Sequence, residues 1–205
     1  MAVYVHQGDL PADHGLQGDV AVDTETMGLN LLRDRLCLVQ ISDGNGDAHL
    51  VKFDGLSFDC PNLVKVLEDT SRVKLYHFGR FDIAALYQYL EVLAAPVYCT
   101  KIASKLIRTY TDRHGLKDLV SELLGVTLDK QSQSSDWGAH ELTEAQIKYA
   151  ASDVLYLHAL REKLDAMLER EQRDDMAAAA FEFLPMRAIM DLEGYGDMDI
   201  FAHHG

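Results

Sequence analysis

Strand-like and helix-like segments alternate in this chain in an order that few folds accommodate. Five short segments carry the apolar and β-branched residues typical of strands. The first three follow one another directly, the last two are separated by a helical segment, and the pattern is helical from Lys101 onward. This order predicts an α/β domain with a mixed five-stranded sheet, flanked by helices and followed by a helical C-terminal third. The predicted strands cover residues 19–25, 35–42, 48–53, 73–78 and 96–100.

Proline and glycine positions locate the helices. Pro61 suits the first turn of a short helix, and a second helix is predicted from about Arg80 to Leu93. Gly115, Gly125 and a polar loop at 129–136 interrupt the later helical part. The stretch 143–173 is long for a single helix in a globular protein. We expect its acidic end, and the tail from about 175 to 205, to pack on a partner subunit.

Length and composition favour a single domain over residues 1–205. Of the 205 residues, 48% are hydrophobic, which is enough to bury a core. Three cysteines, odd in number and without metal-type spacing, indicate reduced and buried thiols in a cytoplasmic protein. The N-terminal residues lack the pattern of a signal peptide, and no segment has the apolar length of a membrane helix, so no membrane association is expected.

The charge balance limits the possible ligands. The chain carries 19 basic and 33 acidic residues, a formal net charge of −14. Proteins that grip long nucleic acids usually present a basic face, because phosphate neutralisation supplies most of the affinity. Either nucleic acid is not the ligand, or the ligand is short and is held locally with the help of divalent cations. Acidity for solubility alone is the third reading of this composition.

Two carboxylates lie two residues apart on the first predicted strand. Alternate residues of a strand face the same side, so Asp23 and Glu25 project together. Like charges at that separation are costly unless a positive group neutralises them, and Mg²⁺ or Mn²⁺ bound by oxygen atoms is the usual solution. A solvated acidic pair fits the same spacing. The turn Met27-Gly28-Leu29 follows, where backbone can approach a ligand.

Two further motifs carry titratable side chains. Asp82 follows His77 where a strand ends and a helix begins, a position that also suits a carboxylate interacting with the helix dipole. Tyr149 and Asp153 are four residues apart on a helical segment and therefore share one face, among small alanines. A core tyrosine and a surface acid are the ordinary interpretation of that pair.

Taken together and in this order, the motifs resemble the DEDD exonuclease superfamily, in the tyrosine-bearing branch that includes ribonuclease D. Val22-Asp-Thr-Glu-Thr matches the first exonuclease motif, His77-Phe-Gly-Arg-Phe-Asp the second and Tyr149-Ala-Ala-Ser-Asp the third. The sequence at residues 128–137 and 142–150 is also similar to that of ribonuclease D relatives. Phe78 departs from the asparagine that many relatives carry there, a position that is not a metal ligand.

The resemblance implies a ribonuclease H-like fold and a two-metal-ion mechanism with Mg²⁺ or Mn²⁺. The implied catalytic residues are Asp23, Glu25, Asp82, Tyr149 and Asp153, of which the four carboxylates hold the metal ions. A tyrosine with a pKa of about 10 is a poor general base at neutral pH, so Tyr149 is expected to orient the attacking water.

Within this branch the chain is most similar to the nano-RNase C group of small enzymes that finish RNA decay by cleaving dinucleotides. Ribonuclease D proper carries helical nucleic-acid-binding domains after the nuclease domain, and none is expected here. This similarity implies short RNA as the substrate and a homo-octamer as the assembly. The acidic net charge is consistent with a compact site that needs no phosphate track.

Substrate contacts are expected around these motifs. In similar enzymes a leucine at the position of Leu29 wedges between two bases, although a plain loop leucine is the simpler interpretation. The stretch 101–117 holds five basic residues against one acid and is the best candidate for binding a terminal phosphate; a solvated helix face would look the same. The candidate substrate-binding residues are Met27, Gly28, Leu29, His77, Phe81, Lys101, Ser104, Arg108, Arg113, His114 and Trp137.

Three functional hypotheses remain open on the sequence. The first is a dinucleotide-preferring 3′→5′ exoribonuclease, and the second is a ribonuclease D-like enzyme that trims longer RNA or DNA. The third is a catalytically silent nucleic-acid-binding module, which the presence of all five motif residues argues against.

Overall fold

The computed structural model describes residues 2–128 and 135–203, and its centre is one mixed sheet. The sheet contains six strands in the order β1-β4-β3-β2-β5-β6. Strands β2, β3 and β4 form an antiparallel meander, whereas β1 joins β4, β5 joins β2 and β6 joins β5 in parallel. The strands are β1 (Val3–Gln7), β2 (Val20–Thr26), β3 (Leu36–Ser42), β4 (Ala48–Lys52), β5 (Lys74–Tyr76) and β6 (Val97–Cys99).

Seven helices among the described residues cover the two faces of this sheet. Helix α2 lies between β5 and β6, the right place for the crossover between two parallel strands. The helices are α1 (Pro61–Glu68), α2 (Arg80–Leu90), α3 (Thr100–Ile107), α4 (Leu116–Leu124), α5 (Glu144–Leu155), α6 (Leu157–Arg170) and α7 (Asp174–Leu192).

The core is divided by the sheet into two layers. Side chains at Val20, Val22, Val39 and Ile41 pack with α1, α2 and the end of α7. The alternate residues of the same strands, including Ala21 and Leu38, pack with α3 to α6. The period of two in β2 and β3 thus assigns each side chain to one layer, and it places Asp23 and Glu25 on the layer that contains α5.

The predicted fold class is confirmed, with one more strand than expected. Strand β1 was not predicted, because its sequence Val-Tyr-Val-His-Gln alternates only weakly and Tyr4 and Val5 stay exposed at the sheet edge. Helix α2 ends at Leu90 rather than Leu93, because Glu91 adopts a left-handed conformation with φ 57°. The long helical stretch is broken at Tyr156 into α5 and α6.

The apolar side chains of the C-terminal residues differ in their burial. Leu184 is buried within the chain's own core, and the half-buried Phe181 packs against Tyr98 with tilted rings whose centroids are 4.6 Å apart. Phe201, by contrast, is 80% exposed and touches only the ring of Phe183 among the described aromatic residues.

All three cysteines are free and buried, as predicted. None of the described helices combines the length and the apolar character needed to cross a lipid bilayer. The polar loop was predicted at 129–136, and its first six residues lie outside the described part of the chain.

Candidate active site

Three carboxylates from two elements converge above the middle of the sheet. Asp23 and Glu25 project from β2 and Asp153 from α5, and each offers an oxygen atom within 4.8 Å of the others. Helix α5 is fixed at its start by a capping box in which Thr143 and Gln146 bond reciprocally. Gln146 also donates to the carbonyl of Asp136, which anchors the helix to the preceding loop.

A fourth carboxylate is held beside this cluster by the strand itself. Asp82 lies in the first turn of α2 and is almost completely buried. Its Oδ1 accepts hydrogen bonds from the backbone N–H of Thr24, at 3.0 Å, and from the Thr24 hydroxyl, at 2.7 Å. Thr24 stands between Asp23 and Glu25 and points to the opposite side of β2, so one strand positions three of the four acids.

The four carboxylates are in an electrostatically unfavourable environment. Burial raises the pKa of Asp82 and of Asp153 to about 7 and that of Glu25 to about 9. Burial raises the pKa of Asp23 well above its usual value as well, and the other three carboxylates add to the effect. Within residues 2–128 and 135–203, no lysine, arginine or histidine forms an ion pair with any of the four.

This donor set fits a hard divalent cation. All ligand atoms are carboxylate oxygens, which Mg²⁺ and Mn²⁺ prefer, and neither cysteine nor histidine belongs to the cluster. A cation would also supply the positive charge that the described side chains do not provide. Asp23, Glu25 and Asp153 would hold it directly, with Asp82 beside them.

Tyr149 lies one helical turn before Asp153, on the same face of α5, and its phenol is close to that carboxylate. Burial, followed by the charge of Asp153, raises the pKa of the phenol above its usual value. The hydroxyl therefore stays protonated at neutral pH and acts as a hydrogen-bond donor. Its ring packs at 6.1 Å from that of Trp137, which fixes its orientation.

A cleft of about 560 Å³ opens above the carboxylates. Leu29 stands at its edge with 88% of its surface exposed, and Lys101 places its ammonium 4.3 Å from the centre of the Phe78 ring. His77 bonds through Nδ1 to the hydroxyl of Thr100, and burial, followed by the charge of Lys101, lowers its pKa to about 3. His77 is therefore a neutral, structurally fixed ring.

The structure brings some of the predicted substrate-binding residues to this cleft. Leu29, His77, Phe81 and Lys101 line it together with the five motif residues. Gly28 lies in the adjoining turn, where a Cβ atom would come within 2.4 Å of the Asp34 carboxylate, so any larger residue would have to displace the Asp34 side chain. Met27 is half exposed, and its sulfur would be 2.3 Å from a Cβ atom at Gly138, so it packs there rather than in the cleft.

The other predicted phosphate ligands belong to an internal network instead. Arg108 is fully buried, donates to the Ser104 hydroxyl and to the carbonyl of Arg113, and pairs with Glu122. Ser104 in turn bonds to His114 at 2.8 Å. These residues do not line the cleft, because their donors are used to tie the end of α3 to the following loop.

Two further predicted contacts also lie elsewhere. Arg113 pairs with Asp118 on the surface. Trp137 is 3% exposed and lies in the core layer beneath α5, so its ring is not free to stack on a base. Its role is to support Tyr149.

Several lining residues were not singled out from the sequence. Lys117 is the important one, because it adds a second cation to the cleft beside Lys101. It belongs to the basic stretch 101–117, but nothing in that stretch distinguishes it from Arg108 or Arg113. The other unpredicted lining residues are Thr24, Phe78, Gly115, Leu116, Leu128 and Ser152.

Comparison with known proteins agrees with this geometry. A family model described as 3′-5′ exonuclease matches residues 9–169. Ribonuclease D of Gluconacetobacter diazotrophicus is 35% identical over 162 residues, which are 78% of this chain and 40% of that protein. The chain thus spans about two fifths of the ribonuclease D length that it matches.

Solved structures give a match over the whole chain. Brucella melitensis NrnC is 55% identical, with a TM-score of 0.96 and 99% of both chains covered. The same protein bound to pGG is 54% identical, also with a TM-score of 0.96 and 99% of both chains covered. Its form with bound Mg²⁺ is 53% identical with a TM-score of 0.95, covering 99% of this chain and 100% of that one. Since the family model covers more than three quarters of the sequence and includes all the converging carboxylates, this chain belongs to the 3′-5′ exonuclease family, in its ribonuclease D-like branch.

Proposed function

We propose that this protein is a metal-dependent 3′→5′ exoribonuclease that hydrolyses short RNA, preferentially dinucleotides, to nucleoside 5′-monophosphates. The observation that carries the proposal is the cluster of Asp23, Glu25 and Asp153 at the base of a cleft whose rim carries two lysines. Carboxylates without cationic partners, next to lysines at the rim of the same cleft, provide a place for metal and for phosphate side by side.

The proposed reaction is an in-line displacement at the phosphate that joins the 3′-terminal nucleotide to the rest. The oxygen of a water forms a bond to phosphorus, the bond from phosphorus to the 3′-oxygen of the preceding nucleotide breaks, and that oxygen takes up a proton. When bound, divalent cations supply the positive charge that neutralises the phosphate and make the attacking water more acidic. Two ions, Mg²⁺ or Mn²⁺, are proposed on the basis of the family resemblance.

The chain's own residues position the reactants. Asp82, fixed by two hydrogen bonds from Thr24, keeps its carboxylate directed at the cluster. Tyr149 remains protonated and donates a hydrogen bond that orients the attacking water. Lys101 and Lys117 attract the phosphate of the bound nucleotide from one side of the cleft.

Three features support a short substrate. Leu29 projects into the cleft mouth and can separate two adjacent bases, while Lys101 and Lys117 can hold a 5′ phosphate. The formal net charge of −14 disfavours binding of a long polyanion along the surface. NrnC, which is similar over the whole chain, has been solved with pGG.

Ribonuclease D-like trimming of longer RNA is the second candidate. It is favoured by the 35% identity to ribonuclease D of Gluconacetobacter diazotrophicus. The two candidates predict opposite trends, because affinity for longer RNA grows with every phosphate that is engaged.

We also propose that the protein forms a closed homo-oligomer in the cytoplasm, an octamer by the family resemblance. Phe201, Met198 and Ile200 give the C-terminal segment an exposed apolar surface, which is typical of subunit contacts. The free, buried cysteines are consistent with a reducing compartment. Sedimentation that shows only monomer at micromolar concentration would refute the assembly.

A length series of labelled RNAs from two to ten nucleotides tests the substrate proposal. With Mg²⁺ or Mn²⁺ supplied, kcat/KM is expected to fall sharply from two nucleotides to three and beyond. Removal of the 5′ phosphate from the dinucleotide should weaken binding by about 1.5–3 kcal/mol, the usual value of a hydrogen bond to a charged group. Equal or better cleavage of ten-nucleotide RNA would favour ribonuclease D-like trimming instead.

A further inference from the structure

A buried glutamine lies next to the carboxylate cluster without a role in the site described so far. Gln40, in the middle of β3, is fully buried. Neither its Nε2 nor its Oε1 has a hydrogen-bond partner among the described residues. A buried amide without partners is costly, because the group has lost its bonds to water. Such an exception in a native structure calls for an explanation, for example a bound water or a role in catalysis.

The register of the sheet identifies that neighbour. Strands β2 and β3 are antiparallel, and Asp23 pairs directly with Gln40. Side chains at paired positions project to the same face, with Cβ atoms about 4.5–5.5 Å apart. The neighbouring pairs obey this rule, since Val22 and Ile41 share the layer on the other side of the sheet.

The remaining neighbours of Gln40 on this face offer little to bond with. Leu50 of β4 is its partner on the other side, and Leu38 precedes it on the same face. The hydroxyl of Ser42 is already engaged with the carbonyl of Asp47. Helix α5 covers this face with small and apolar side chains such as Ala150 and Ala151. The Asp23 carboxylate is therefore the charged acceptor nearest in the sheet to the Gln40 amide.

We propose that Gln40 is a positioning residue, whose side-chain amide donates through one ordered water to the Asp23 carboxylate and holds it in the orientation that binds the metal ion. A glutamine suits this position because it provides a neutral N–H donor. An arginine or lysine there would supply the positive charge that the metal brings, and would compete with it. The proposal rests on the proposed metal-dependent function, since it concerns a ligand of the same site.

The test uses Gln40→Met, which keeps the length and volume of the side chain and removes both polar atoms. Its melting temperature without metal should equal or exceed that of the wild type, because the side-chain volume is kept while a buried amide with no hydrogen-bond partner in the protein is lost. Mn²⁺ affinity measured by calorimetry should fall about 10- to 100-fold, the usual effect of removing a group that orients a metal ligand. The kcat for dinucleotide should fall by a similar factor at fixed, subsaturating Mn²⁺, with KM changed less than about threefold.

Ile41→Met is the matched control. It lies on the same strand with its side chain in the opposite core layer, so it should leave Mn²⁺ affinity unchanged. Wild-type Mn²⁺ affinity in a folded Gln40→Met protein would overturn the proposal, and so would an equal loss of affinity in Ile41→Met. Wild-type protein that cleaves no RNA in the same assay would instead refute the proposed function and leave the calorimetric comparison intact.

A measurement on the wild-type protein keeps the inference testable even where Gln40→Met does not fold. With ¹⁵N-labelled glutamine side chains, the Gln40 amide signal should shift when Mg²⁺ is added, because the carboxylate that its bridging water contacts becomes metal-bound. A spectrum in which no buried glutamine amide responds to Mg²⁺ would contradict the proposal.

Discussion

The acidic cluster on β2 and α5 and the basic stretch 101–117 differ in whether the chain itself balances their charges. Asp23, Glu25 and Asp153 lie within 4.8 Å of one another with no cation from the described residues to balance them. In the basic stretch, by contrast, Arg108 and Arg113 are paired with Glu122 and Asp118. A charge that the chain itself balances stabilises the fold, whereas a buried charge left unbalanced is available to a ligand. Lys101 and Lys117 line the cleft, and they are the basic residues of this stretch whose charges are available to a ligand there.

The strongest test of this contrast removes one member of the unbalanced cluster. Asp153→Ala should reduce cleavage by roughly a thousandfold or more, because a metal-binding carboxylate is lost. The metal-free protein should melt at an equal or higher temperature, since a like charge has been taken away from the cluster. Glu162→Ala, which removes an exposed acid from the middle of α6, is the control and should change neither quantity. Turnover like that of the wild type in Asp153→Ala would refute the site.

The pH dependence of stability tests the same contrast without a substrate. Asp82 and Asp153 have a pKa of about 7 in the folded state and Glu25 of about 9, all raised by burial. A raised pKa means that the folded state binds the proton more tightly than the unfolded state does. The stabilisation of the folded state that results is complete below about pH 4 and is lost as pH rises towards 9. Each unit of difference corresponds to about 1.4 kcal/mol.

Denaturant unfolding of metal-free protein between pH 4 and 9 measures this loss. The difference curve between wild type and Asp153→Asn should show stability falling with pH more steeply in the wild type. Saturating Mg²⁺ should flatten the wild-type curve, because the cation binds the ionised carboxylates of the folded state. A wild-type curve that runs parallel to that of Asp153→Asn would show that the pKa of Asp153 is not raised in the folded state.

Mutation should distinguish residues of the basic stretch 101–117 that stabilise the fold from those that bind substrate. Arg108→Met should destabilise the protein by about 2–3 kcal/mol, because its guanidinium satisfies buried acceptors and pairs with the half-exposed Glu122. Lys117→Met should leave the melting temperature nearly unchanged and raise the KM for a 5′-phosphorylated dinucleotide about 5- to 20-fold. Thermal melts and steady-state kinetics on both variants decide the point. A larger KM effect in Arg108→Met than in Lys117→Met would reverse the assignment.

A milder effect than that of Asp153→Ala is expected at Tyr149. Tyr149→Phe should slow kcat by roughly 10- to 100-fold, because the hydrogen bond that orients the water is lost and no metal ligand is removed. Mn²⁺ affinity measured by calorimetry should stay within about threefold of the wild type. A loss of activity as large as that of Asp153→Ala would assign the phenol a role beyond orientation.

Local pattern was sufficient for five of the six strands and for the faces that the motif residues share. Asp23 and Glu25 could be assigned to one face because a strand has a period of two, and Tyr149 and Asp153 to one face because four residues make about one helical turn. The convergence of these faces could be predicted only through the family resemblance. Periodicity describes one element at a time and contains no distance between elements.

Which of the candidate residues line the substrate cleft could not be predicted from the sequence. Lys117 and Arg108 are indistinguishable as basic residues of one helical stretch, yet one lines the cleft and the other is fully buried. Trp137 and Gln40 were likewise assigned only in the folded chain, the first as support for Tyr149 and the second beside Asp23. The sequence by itself determined the layered α/β fold, because this depends on local periodicity, and the order of its motifs identified the carboxylates through the family resemblance. Only the tertiary structure decided which charges are neutralised within the chain, because ion pairing depends on distances between elements that lie far apart in sequence.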